Sequence, residues 1–382
     1  MIVRARTEID EVVLEKILDG SWDDIFPPIP STYFFNSGCS ALRFFLQLYG
    51  KGKKVGIQVF TCSTVLDAIR EENDEAIFLD VDTSYYTSTY EYVESKIHLI
   101  DILILSHLFG IPNPDYIAIK DLCKERGVVM IDDLCQTYHA KIGGAYLEDL
   151  SDNYFYSFFY DKPISSLNGG MLKLSGDTDF LNLADDKYVK IEKRSRIEGK
   201  GSLKVLLLMH RLLSPIFYTK EFRSGLGWRI ALRYWPLKWN IKYLNTIVNG
   251  KWFALFNRVV TFLFKNKSKI RRLSDLEQNY VKNMMLTYSC NNDVLVDFLT
   301  KFNLGIPIYL SDNRIDCSIA KRAIVKKCIR SEEAQLFLYN WPNLICPLED
   351  YGKYPNAVEI ISTCTNIPCW TDGIGDIEIK IV

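Results

Sequence analysis

Residues 100–136 read IDILILSHLFGIPNPDYIAIKDLCKERGVVMIDDLCQ. IDILILSH (100–107) and VVMID (128–132) are short apolar runs rich in β-branched residues. Between them, Asn113 and Pro114 predict the cap and first position of a helix that runs to Gly127. Strand, helix and strand in this order form a βαβ unit, whose two strands run parallel. The runs are apolar throughout and do not alternate with polar residues, so the sheet is buried on both faces. KVGIQVF (54–60), EAIFLDVD (75–82) and NYFYSFFY (153–160) continue the pattern on either side. CSALRFFLQLY (39–49) places Leu42, Phe45, Leu46 and Tyr49 at helical spacing, with Gly50 as a stop. The reading is an α/β fold built on a mainly parallel sheet flanked by helices. Ligands of such sheets bind beyond the carboxyl ends of the strands.

Length and composition bound the rest. The chain has 382 residues, enough for two domains or one large α/β domain with appendages. No run of about 18 apolar residues predicts a transmembrane helix, and MIVRARTEIDEVVLEK at the N-terminus lacks the apolar core of a signal peptide. The 10 cysteines include no C-x-x-C pair, which reads as reduced cytosolic thiols and not as a disulfide framework or a zinc site. No internal repeat is visible.

Three strand ends carry residues suited to chemistry. Asn36-Ser37-Gly38-Cys39-Ser40 opens a helix, and the free N–H groups there can bind an anion or be satisfied by a plain cap. Asp132 and Asp133 follow a buried strand, where two adjacent acids are costly unless something opposes their charge. A protonated ring nitrogen or a metal would do so, and the lack of a histidine pair at ligand spacing weakens the metal. Lys162 lies in SFFYDKPISSLNGGM (157–171), after an aromatic strand and before Gly169-Gly170, which permit close backbone approach or positive φ. A lysine, a carboxylate for a ring nitrogen and a helix N-terminus for a phosphate are the parts that hold pyridoxal phosphate (PLP).

These stretches resemble the DegT/DnrJ/StrS-type, PLP-dependent sugar aminotransferases of fold type I. SGCSAL (37–42), HLFGIP (107–112), DDLCQ (132–136) and SFFYDK (157–162) carry the resemblance, which is good over roughly residues 30–175 and loose beyond. It implies a phosphate-binding turn at Gly38 and Cys39, with cysteine where threonine is usual. It implies Asp133 at the pyridine nitrogen, Gln136 near the phenolic oxygen, Ser157 on the phosphate and Lys162 as the Schiff-base lysine. Many members stack an aromatic ring on the cofactor where this chain has Cys62, so that thiol or Phe60 covers the ring here. Pro163 follows the lysine where asparagine is commoner. Family dehydratases replace the lysine with histidine, so Lys162 favours transamination. The resemblance implies an amino donor, expected to be glutamate, a keto-sugar carried on a nucleotide as acceptor, and a homodimer, in surface-glycan or related sugar biosynthesis. A PLP-dependent dehydratase or lyase, and a non-catalytic membrane-associated member of the fold, are the alternatives.

The middle of the chain differs from both ends. Residues 187–272 hold 21 Lys+Arg against three acids, Glu192, Glu198 and Glu221, a net of +18. Trp228, Trp235, Trp239 and Trp252 lie there too. The expected division is a PLP-binding domain over 1–186, a basic, aromatic-rich helical insertion over 187–272 and a small α+β domain over 273–382 that ends in the strand-like IEIKIV. The insertion suits peripheral contact with anionic membrane, docking on the acidic remainder, or a solvated face. No motif accompanies the charge that would predict nucleic acid binding. The expected location is the cytoplasm, with the inner face of the membrane as a peripheral site. His98, His139 and His210 receive no role.

Overall fold

The structure is a computed structural model that describes residues 9–21, 29–159, 162–212, 269–287, 300, 307–318, 322–325 and 344–368. The tryptophans of the basic segment, Tyr160 and Asp161 of the aromatic run, and the strand expected at the C-terminus lie outside these residues.

In chain order the elements are α1 (Glu11–Asp19), β1 (Thr32–Phe35), α2 (Gly38–Tyr49), β2 (Lys54–Gln58), α3 (Ser63–Glu71), β3 (Glu75–Leu79), α4 (Tyr90–Lys96), β4 (Ile102–Ser106), α5 (Tyr116–Arg126) and β5 (Val129–Asp133). A short hairpin of β6 (Lys141–Ile142) and β7 (Ala145–Tyr146) leads to α6 (Leu147–Leu150), β8 (Tyr154–Ser157), β9 (Gly170–Lys173), α7 (Thr178–Val189) and α8 (Arg196–Leu212). After the basic segment come α9 (Asp275–Thr287), β10 (Ile315–Asp316), β11 (Arg322–Val325), α10 (Pro355–Thr363) and β12 (Thr365–Pro368).

Seven strands form the main sheet in the order β1-β9-β8-β5-β4-β2-β3. Only β9 runs against its neighbours. The strands expected from the apolar runs are β2, β3, β4, β5 and β8. The four-residue strands β1 and β9 had no counterpart in the sequence reading, being too short to show a period.

Side-chain alternation explains the layering. Ile102 and Ile104 of β4 pack with Val55, Ile57, Ile131 and the helices α2 and α3 on one face. Leu103 and Leu105 pack with Tyr116 and Ile119 of α5 and with Leu203 and Leu206 of α8 on the other. Full burial of such a side chain contributes roughly 1.5–3 kcal/mol, so these two layers hold the sheet. Gly127 ends α5 at φ 69°, a left-handed conformation in which its N–H reaches the Cys123 carbonyl.

The start of α5 departs from expectation. Asn113 does not cap the helix, which begins at Tyr116 with Asp115 at the cap position. Asn113 is buried instead, and its Nδ2 donates to the Ser88 carbonyl at 2.7 Å and to Thr87 Oγ1 at 3.1 Å. Its Oδ1 accepts from the Asp115 N–H at 2.8 Å, an Asx turn that delays the helix.

The C-terminal residues close over the carboxyl ends of β2 and β3. Tyr309, Ile324, Leu344, Tyr354 and Ile360 bury themselves against Val59, Phe60, Tyr86 and Phe109. Asp80, just after β3, accepts from the N–H groups of Asn356 at 3.2 Å and Ala357 at 3.0 Å, so a carboxylate from the first half caps α10. β10 pairs with β6, which again joins the two halves.

The edge strand β1 is not left open. The Leu273 N–H donates to the Phe34 carbonyl, and Phe35 bridges Arg272 in antiparallel fashion. Residues 269–273, where the chain returns from the basic segment, therefore extend the sheet. On their far side Arg272 bridges Lys193. The two described ends of the basic segment thus lie side by side.

Candidate active site

Gly38, Asp133 and Ser157 lie at the carboxyl ends of the parallel strands or directly beyond them. Alternation separates the two acids of β5. Asp132 turns toward α5, where its Oδ2 accepts from Tyr116 Oη at 3.0 Å and its Oδ1 faces His107 Nε2 at 3.2 Å. His107 Nδ1 accepts from the Asn113 N–H at 3.0 Å, so the ring proton sits on Nε2 and is donated to Asp132. Asp132 and His107 are fully enclosed, and two donors on the carboxylate offset the cost of burying it.

Asp133 points the other way. It is buried, and its Oδ1 accepts from the Cys135 N–H at 3.0 Å. The Cys135 thiol reports what surrounds it. Burial pushes it well above the ordinary thiol range, the Asp133 carboxylate pushes it further, and the charge of Lys162 pulls it back. Cys62 also acts on it. Asp133, Lys162, Cys135 and Cys62 therefore share one electrostatic neighbourhood. The sequence signal for Cys135 is its place two residues after Asp133.

Lys162 is half-buried in a tightly closed loop. Its N–H donates to the Phe159 carbonyl at 2.9 Å and its carbonyl accepts from Ser165 Oγ at 3.0 Å. The Ser166 N–H returns to the Phe158 carbonyl, and the Phe158 N–H donates to the Gly169 carbonyl. The glycine pair serves close approach. A Cβ on Gly170 would lie 2.2 Å from the Ser37 carbonyl oxygen, an impossible contact with backbone.

That approach seats the lysine loop against the start of α2. Ser37 caps the helix, its Oγ accepting from the Ser40 N–H at 3.0 Å, and the Ala41 N–H reaches the Ser37 carbonyl. The amides of Gly38 and Cys39 remain in the first turn without an acceptor inside the helix. Ser157 lies against Gly38, where an added Cβ would come within 2.8 Å of the serine Cβ and 3.3 Å of its Oγ. Two free amides and a hydroxyl meet there at the positive end of the helix. Burial, and then Glu71, raise the Cys39 thiol to about 11, so it is neutral at neutral pH and does not repel an anion.

Two residues are occupied in ways the sequence did not disclose. Gln136 Oε1 accepts from the Phe109 N–H at 3.2 Å and braces the loop after β4, in which Phe109 has φ 58°. Phe60 is buried against Phe109 with ring centroids 6.3 Å apart, so it belongs to the apolar cluster that closes over β2 and β3. The side chain that the loop after β2 offers to the site is Cys62, half-buried, with its Sγ 3.2 Å from Thr64 Oγ1. Among the described residues no group of His, Cys, Asp and Glu can hold a metal ion.

These residues fit PLP on chemical grounds. A cradle of two amides and a hydroxyl suits a phosphate, a buried carboxylate suits a cationic ring nitrogen, and a half-buried lysine suits an aldehyde.

Comparison with known proteins agrees with this fit. Residues 32–179 match the profile of the DegT/DnrJ/EryC1/StrS aminotransferase family. The chain is 28% identical over 146 residues to a UDP-N-acetyl-3-dehydro-alpha-D-glucosamine 3-aminotransferase of Acidithiobacillus ferrooxidans, a match that covers 37% of this chain and 39% of that protein. It is 28% identical over 146 residues to the GDP-perosamine synthase of Escherichia coli O157:H7, covering 37% and 40%. These alignments thus span about two-fifths of each relative. A sugar aminotransferase structure from Streptococcus pneumoniae in its PLP form superposes with a TM-score of 0.63 at 14% identity, over 97% of this chain and 94% of that one. The fold is thereby that of the fold type I enzymes.

Proposed function

We propose, from the match of residues 32–179 to the profile of the DegT/DnrJ/EryC1/StrS aminotransferase family, that this protein is a PLP-dependent aminotransferase of that family. Its reaction moves an amino group, with glutamate as donor, to a keto-sugar carried on a nucleotide. The observation that carries this reading is the gathering of Asp133 and the Gly38–Ser157 cradle at the carboxyl ends of the parallel strands, with the charges of Asp133 and Lys162 both acting on the Cys135 thiol.

When bound, PLP supplies an electron sink for the pair left on carbon after proton removal. The residues of this chain do the rest. The amides of Gly38 and Cys39 and the Ser157 hydroxyl donate to the phosphate. Asp133 would oppose the positive charge of the ring nitrogen, Gln136 would serve the phenolic oxygen, and Cys62 would cover the ring. Lys162 would hold the cofactor through its aldehyde, and its amine, once released, would serve as the base and acid that moves a proton at the substrate's Cα. The half-buried Cys39 and Cys135 thiols, both raised above the ordinary thiol range, leave the charges of Lys162 and Asp133 to act.

The test is turnover with glutamate against a panel of keto-sugar nucleotides. Mass spectrometry should find a product whose C=O has become CH–NH2. Loss of water from the substrate with no nitrogen gained would favour a dehydratase.

The division at 186 and 272 belongs to this reading. The bridge between Lys193 and Arg272 supports an insertion closed at its base. For 187–272 we keep peripheral contact with anionic membrane, supported by its charge of +18. Anionic vesicles at low salt should sediment with the protein, and failure to do so removes this part. No helix among the described residues is long and apolar enough to cross a membrane. The proposed protein is a cytoplasmic homodimer, so light scattering should give twice the chain mass and not the monomer's.

A further inference from the structure

The basic segment holds only three acids, and two of them are spent on a single arginine at its base. Arg271 is buried, and its Nη1 donates to Glu198 Oε1 at 2.8 Å while its Nη2 donates to Glu192 Oε1 at 2.8 Å and Glu198 Oε2 at 3.1 Å. Lys269 reaches the other oxygen of Glu192 at 2.6 Å. The backbone of the same stretch is held from both sides. The Arg272 N–H donates to the Glu192 carbonyl at 2.9 Å, and the Arg194 N–H donates to the Arg272 carbonyl at 3.0 Å. A strip fixed in this way is a rigid support.

What it supports is Asn36, the residue before the cap of α2. The Asn36 N–H donates to the Arg271 carbonyl at 2.8 Å. The Arg271 N–H donates back to Asn36 Oδ1 at 3.0 Å, and Asn36 Nδ2 donates to the Lys269 carbonyl at 3.1 Å. Asparagine suits this place because its side chain both accepts and donates; aspartate lacks the donor and alanine has neither. Two residues further on is Gly38, and then Cys39. The direction of their amides depends on how the chain enters the helix.

We propose that Asn36 is a positioning residue for the cofactor phosphate, clamped by the Lys269–Arg271 strip so that the grip on the phosphate depends on the return of the basic segment. The inference rests on the PLP reading above. It makes the phosphate half of cofactor binding sensitive to Asn36 and to the ion cluster behind it, while Lys162 and its aldehyde chemistry are untouched.

The experiment compares PLP with pyridoxal, which offers the same aldehyde to Lys162 but no phosphate. Each is titrated into the full chain and followed by the absorbance of the lysine-bound form. Asn36→Ala should weaken PLP about tenfold, the effect of two lost side-chain hydrogen bonds, and change pyridoxal less than about twofold. Glu198→Gln weakens a partly exposed partner of Arg271 that also accepts from Ser195, and it should shift PLP alone in the same direction, by about threefold. This second variant keeps the test open if Asn36→Ala fails to fold. PLP affinity unchanged in both variants overturns the proposal. So does an equal loss for PLP and pyridoxal, which is what a general loosening would give. A wild-type chain that binds neither compound would sink the PLP reading itself, and this inference with it.

Discussion

Asp132 and Asp133 are identical neighbours with different work, and strand alternation alone separates them. Asp132 is held by Tyr116 and His107 inside the protein, whereas Asp133 meets the Lys162 neighbourhood. The sequence showed that two acids end a buried strand, but not which side of the sheet each would face. Asp133→Asn keeps the shape and removes the charge opposite the ring nitrogen. The glutamate half-reaction, followed by stopped-flow absorbance, should slow by about a hundredfold or more while cofactor still binds. A rate within a few-fold of wild type would remove Asp133 from its role. At Gly38 steric room is the issue, since a Cβ would press on the Ser157 Cβ at 2.8 Å. Gly38→Ala should cost PLP affinity about tenfold or more with the far-ultraviolet circular dichroism unchanged, because something in the cradle must move. Equal affinity in titration would show that the cradle does not hold the phosphate.

At the scale of elements, local pattern and distant pairing divide what was legible. The strands β2, β4 and β5 and the helix α2 announce themselves by apolar runs and helical spacing. β1 and β9 do not, at four residues each. The Asn113-Pro114 pair looks like a helix start, yet burial recruits that asparagine to the Thr87 hydroxyl and the Ser88 carbonyl, and the helix begins later. The strip beside β1 was beyond any local reading, since Asn36 and Arg271 are 235 residues apart. Its ion cluster has a pH signature. The hydrogen bond from Arg271, ahead of the amide of Ser195, lowers the Glu198 carboxyl from its ordinary range to about 2. A depressed carboxylate stabilises the fold above its unfolded pKa, and that contribution fades as pH falls through the folded value. The stability gap between wild type and Glu198→Gln in urea unfolding should therefore be constant above about pH 5 and shrink toward pH 2. A gap independent of pH across that window would contradict the assignment.

Across the whole molecule, alternating strands and helices made the α/β architecture readable, and the strand-end motifs marked out the candidate site residues. The closure of the C-terminal residues over β2 and β3 was not, because the Asp80 carboxylate capping α10 joins residues 277 apart in sequence. Nor was the commitment of Phe60 to that interface. One spectrum tests the account most directly. The purified chain is incubated with PLP, its visible absorption is recorded, and excess glutamate is added. A yellow band should form in the wild type, be bleached there by glutamate, and be absent in Lys162→Ala. A wild-type chain that forms no such band at any PLP concentration, or a Lys162→Ala variant that forms the same band, would contradict it.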